Sequence, residues 1–196
     1  MFKVHRKPFY TFVLCALIQG LFGNQGERWI ISEYKELKEL AKVFNAPFTL
    51  YSKNIQGSFR NASTKLGVKM LLFEGGKSLD LNTEITEVGV DGAKRFLAHL
   101  DMLSPKKEAD FTYDDTLFIE KSTWIRATFS GMFIGLVKAG SFVNKGDILA
   151  TISDPFGKVE HNVKAPNDGY LINVNDAAIV YQGDAIFHIS TVLEND

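Results

Sequence analysis

The sequence has a single cysteine, Cys15, among 196 residues. That excludes an internal disulfide framework and any CxxC metal or redox motif. It suits a reducing, cytoplasmic setting. Charge of one sign is also lacking. The net charge is −1, with 22 Lys and Arg against 23 Asp and Glu, and no acidic or basic tail. No electrostatic footprint for nucleic acid is present, and no highly charged partner is implied. A long hydrophobic run is missing as well. The longest, Phe9–Phe22, falls short of the ~20 residues of a membrane-spanning helix.

Residues 1–31 form an apolar N-terminal segment. Lys3, Arg6 and Lys7 precede Phe9–Phe22, the layout of a secretory signal. No small-x-small cleavage site follows, and Leu14 before Cys15 departs from a lipoprotein signal. Two readings stay open: export or membrane association through residues 1–23, or a buried segment unrelated to such a signal.

What is present is apolar patterning. The chain is 45% hydrophobic, with 16 phenylalanines, enough for one ordinary core or two small ones. The spacing predicts a helix over 32–44, with Leu37, Leu40, Ala41 and Phe44 on one stripe, stopped at Asn45-Ala46-Pro47. A strand at 48–51, a helix at about 58–66 closed by Gly67, and a strand at 68–73 follow. Strand, helix and strand at this spacing predict a βαβ unit with parallel strands. Glu74 then stands at the carboxyl end of the second strand, before Gly75 and Gly76, at the sheet edge where α/β proteins bind ligands. A further helix covers about 90–103, with Ala93, Phe96, Leu97 and Leu100 as its stripe. Residues 104–116, rich in Asp, Lys and Ser, are a polar linker. The expected organisation is a partial α/β domain over 32–104 and a β domain over 117–196.

From Trp124 the signals are all β, and they repeat. Ser130-Gly131-Met132-Phe133-Ile134 recurs as Asp168-Gly169-Tyr170-Leu171-Ile172. Val143-Asn144-Lys145-Gly146-Asp147 recurs as Val180-Tyr181-Gln182-Gly183-Asp184. Each Gly-Asp marks a turn where glycine supplies φ > 0, and each precedes a strand. Two short sheets related by a pseudo-twofold would support each other. The pattern resembles the small barrel of biotinyl- and lipoyl-carrier domains. The modified lysine of those carriers lies in an Ala-Met-Lys-Met or Asp-Lys-Ala context. Asp154-Pro155-Phe156-Gly157-Lys158 has neither, so Lys158 is not read as a carrier lysine.

Several segments together resemble the succinylglutamate desuccinylase/aspartoacylase family of zinc hydrolases, C-terminal part only. They are Ala41-Lys42-Val43-Phe44, Gly57-Ser58-Phe59-Arg60, Leu71-Leu72-Phe73-Glu74-Gly75-Gly76 and Trp124-Ile125-Arg126-Ala127. They continue through Val143-x-x-Gly146-Asp147, Asp154-Pro155-Phe156-Gly157, Ala165-Pro166-x-Asp168-Gly169 and Gly183-Asp184-Ala185-Ile186-Phe187-His188-Ile189. The resemblance implies the end of a zinc-carboxypeptidase-like α/β domain followed by the barrel. It implies hydrolysis of an N-acyl amino acid by zinc-bound water, with Glu74 as general base. A zinc-bound water has a pKa of about 7, and a neighbouring carboxylate takes its proton and passes it to the leaving amine. Arg60 is a candidate for a substrate carboxylate, which arginine holds bidentately.

The family's metal ligands, an H-x-x-E pair and a later histidine, are not identifiable in this chain. Its histidines are His5, His99, His161 and His188, and none begins an H-x-x-E. His5, upstream of Glu74, lies in Val4-His5-Arg6-Lys7, which does not match the family's third ligand. The expectation is a truncated hydrolase without its zinc-binding half, inactive as an isolated chain. A partner chain or oligomer would cover the truncated sheet. The alternative is a non-catalytic remnant or interaction module built on the barrel.

Overall fold

The computed structural model describes residues 24–32, 37–53, 55–76, 82–103 and 116–194. The apolar stretch Phe9–Phe22, His5 and linker residues 104–115 lie outside these. The described elements begin with β1 (Asn24–Ser32), α1 (Lys38–Phe44), β2 (Phe48–Tyr51), α2 (Phe59–Lys65), β3 (Leu72–Gly76) and α3 (Thr83–His99). Eight strands follow: β4 (Leu117–Arg126), β5 (Gly131–Gly135), β6 (Phe142–Val143), β7 (Ile148–Ser153), β8 (Glu160–Lys164), β9 (Gly169–Asn175), β10 (Ile179–Val180) and β11 (Ala185–Leu193). Among the described residues no helix is long and apolar enough to cross a membrane.

The fold is mixed α/β with few helices and two sheets. One sheet has the order β3-β1-β2-β4-β11-β9-β6, and the other β10-β5-β7-β8. The expected parallel βαβ unit does not form. β1 lies between β2 and β3, parallel to the first and antiparallel to the second, so β2 and β3 run in opposite directions. A strand from before the helix–strand pattern has taken the central position, and spacing around α2 carried no sign of it. β1 also lengthens β3. Pairing of Gly26 with Gly76 and of Trp29 with Glu74 extends β3 through Gly76, so Glu74 sits within the strand, not after it. Likewise α3 begins at Thr83, earlier than expected, because the Asn82 side chain caps it by accepting from the Ile85 N–H at 3.0 Å.

Three apolar clusters hold the molecule. Leu37, at the N-cap of α1, and Ala41 and Phe44 within it pack with Phe73, Val88 and Phe96 between helices and sheet. The stripe of α3 runs through Val88, Gly92 and Phe96, one face at i, i+4 and i+8. A Cβ on Gly92 would stand 2.5 Å from the Phe44 ring, so glycine lets the two helices close. Phe48, Leu50 and Ile119 meet Ile172 of β9 on the other side of the sheet.

The largest cluster fills residues 127–189, and there the sequence repeat becomes a structural one. Phe142 pairs with Tyr170 as Ile179 pairs with Met132. The Asp147 and Asp184 carboxylates each accept a backbone N–H, from Asn144 and Tyr181, at 2.8 Å. Gly146 and Gly183 have φ +94 and +96. Each copy's turn bonds to the other copy: Gly146 N–H to Ala165 O at 2.9 Å, and Gly183 N–H to Ala127 O at 2.8 Å. Neither half has its backbone groups satisfied without the other.

Candidate functional site

Glu74 lies on β3 between buried Phe73 and Gly75. Strand alternation sends Phe73 toward the helices and Glu74 to the opposite face, with Leu72. The Glu74 residue is only 9% exposed. Burial pushes its carboxyl above the usual carboxylate range, and the Arg60 guanidinium draws it back part of the way. The structure thus brings the two sequence-derived candidates within electrostatic reach of each other.

Arg60 is held by local sequence. Gly57, at φ +82, turns the chain into α2, and Ser58 caps the helix by accepting from the Asn61 N–H at 3.1 Å. Arg60 in the first turn then reaches back to the end of β2. It donates to the Ser52 carbonyl at 3.2 Å and the Lys53 carbonyl at 3.5 Å. A buried carboxyl with a raised pKa accepts and returns a proton nearer neutral pH than an exposed one. A guanidinium within electrostatic reach of it suits a carboxylate-bearing ligand.

The described residues do not fit a metal centre. Among them no group of three His, Cys, Asp or Glu converges. The three described histidines serve elsewhere. His99 is exposed at the end of α3. His161 stacks on Phe129, ring centroids 3.5 Å apart. His188 is buried on β11, stacked on Trp124 at 4.4 Å and hydrogen-bonded through Nε2 to the Ser122 hydroxyl at 2.8 Å. Burial lowers its pKa to about 4, which keeps it neutral.

One cluster had no sequence signal. Glu194 accepts from the Tyr51 hydroxyl at 3.1 Å and pairs with Lys38 at 3.1 Å, and Lys38 lies 4.8 Å from the centre of the Phe118 ring. The three polar residues come from opposite ends of the described chain. Burial and the bond to Glu194 raise the Tyr51 pKa. At the hairpin between the repeats, the Lys158 backbone N–H donates to Asp154 at 2.7 Å and its ammonium lies 5.9 Å from the centre of the exposed Phe156 ring.

No family model matches the sequence, and no curated protein matches it. Solved structures do match in fold. The succinylglutamate desuccinylase/aspartoacylase structure from Rhodobacter sphaeroides superposes with a TM-score of 0.76 at 17% identity, over 90% of this chain and 56% of that one. The product-bound ectoine utilization protein EutE (DoeB) from Ruegeria pomeroyi gives 0.75 at 19% identity, over 87% and 55%. A succinylglutamate desuccinylase from Silicibacter sp. TM1040 gives 0.72 at 19% identity, over 93% and 57%. The chain therefore has the fold of these deacylase structures and spans little more than half their length.

Proposed function

We propose that this chain is the C-terminal portion of a member of the succinylglutamate desuccinylase/aspartoacylase family, hydrolases that remove the acyl group from N-acyl amino acids. The supporting observation is Glu74, a buried carboxyl with a raised pKa within electrostatic reach of Arg60, in a fold shared with those structures. Glu74 is the proton acceptor and donor for amide hydrolysis, and Arg60 receives a substrate carboxylate. The zinc that serves the family has no ligand set among the described residues. Its ligands are supplied from outside this chain, by a partner chain that would also cover the edge of β3 that no described strand pairs with. The isolated chain is then a carboxylate half-site in a cytoplasmic protein.

A second reading rests on residues 117–194. Their two copies satisfy each other's turns and enclose their own core, in the manner of a biotinyl/lipoyl-type barrel. A non-catalytic module built on that barrel would keep this part intact and leave Glu74 idle.

Titration of the isotope-labelled chain with N-acetylaspartate and N-succinylglutamate separates the two. The hydrolase reading expects saturable NMR shifts at Glu74 and Arg60, with the Glu74 shift weakened in Arg60→Gln. No shift at either residue with both ligands would reject that reading and leave the module.

A further inference from the structure

β8, Glu160–Lys164, is an outer strand of the four-stranded sheet and pairs with β7 alone. Its other edge presents backbone N–H and C=O groups that no described strand takes up, the surface on which a further strand is most readily added. Along it Glu160, Asn162 and Lys164 are exposed, whereas Val163 is buried and His161 is half-buried against Phe129. The exposed row reads acid, amide, base, with the charges placed evenly about Asn162. Neither charge has an ion-pair partner among the described residues.

This row complements itself when a second copy runs antiparallel and is centred on Asn162. Glu160 of each strand then stands opposite Lys164 of the other. Opposed charges of unlike sign on one sheet face are favourable, and like charges are not. A parallel copy in register would set glutamate against glutamate. Lysine on an edge strand ordinarily repels an incoming strand; here each lysine meets a glutamate. The other outer strands do not offer this. β6 and β10 are two residues long, and an antiparallel pair centred on β3 would bring Glu74 against Glu74. A net charge of −1 adds little repulsion between copies.

We propose that the chain forms a twofold dimer in which the β8 edges of two copies pair antiparallel about Asn162, joining their four-stranded sheets into one. The proposal is independent of the role of Glu74. Light scattering coupled to gel filtration tests it on the full chain, with circular dichroism to verify folding. The wild type is expected at a mass of two chains. Glu160→Lys and Lys164→Glu, each placing like charges opposite one another twice, are expected to weaken association by about tenfold or more. The double variant, which swaps the charges, restores the dimer. A wild type that stays a single chain up to its solubility limit overturns the proposal. So does a dimer indifferent to both single changes, or a folded double variant that remains dissociated.

Discussion

Ala165 donates its backbone N–H to the carbonyl of Asp147 at 2.9 Å, and its counterpart Ala127 donates to Asp184 at the same distance. The two turns thus depend on equivalent glycines, Gly146 and Gly183, at φ +94 and +96. Gly146→Ala and Gly183→Ala are each expected to destabilise the fold by about 1–3 kcal/mol, the range for a side chain forced into such a conformation. Urea denaturation should show two closely similar losses. A large loss at one turn with none at the other would break the equivalence of the copies.

That equivalence is legible in the sequence itself, because turn chemistry is local: a Gly-Asp followed by a strand announces itself. β2, and the stop of α2 before Gly67, which takes φ +71, are legible for the same reason. The position of β1 is not. Which strand takes the middle of a sheet depends on pairing between distant residues, so the spacing of β2, α2 and β3 leads to a parallel unit that the fold replaces. Glu74 and Arg60 can be named from motifs, but the burial that shifts the carboxyl arises from the packed sheet. Glu194 with Tyr51 and Lys38 has no local signature at all.

Glu74 should make the fold sensitive to rising pH. Its folded pKa is raised, so the folded state holds the proton more tightly than the unfolded one. Stability is then lost as pH rises from the ordinary carboxylate range through the raised value. Glu74→Gln removes this loss. Its unfolding midpoint is expected above that of the wild type at neutral pH, with the advantage vanishing in acid. Arg60→Gln should raise the Glu74 titration further, as followed by carboxyl NMR.

His188 acts in the opposite direction. Its pKa falls from 6.5 to about 4 through burial, so the unfolded chain takes up the proton first. Stability at or above pH 6.5 is expected to decline as pH drops toward about 4, by on the order of 3 kcal/mol in all. His188→Phe keeps a ring against Trp124 and cannot titrate. Thermal unfolding from pH 7 to pH 4 should show a shallower acid slope for this variant, and an unchanged slope would remove His188 as the cause.

The contact of Glu194 with Tyr51 and Lys38 ties the end of β11 to α1 and β2. Glu194→Gln is expected to cost about 1–2 kcal/mol, the range for a partly buried charge-assisted bond. It should also lower the Tyr51 pKa, since the glutamate is one cause of its elevation. Ultraviolet titration of the phenol checks the second effect independently of stability.

The central proposal is that this chain supplies the carboxylate half of a hydrolase site, with no metal half among its described residues. The zinc content of the purified full chain, after exposure to zinc and removal of the excess, tests it most directly. Well below one zinc per chain is predicted. One tightly held zinc per chain would contradict the claim and place a complete metal site within this sequence.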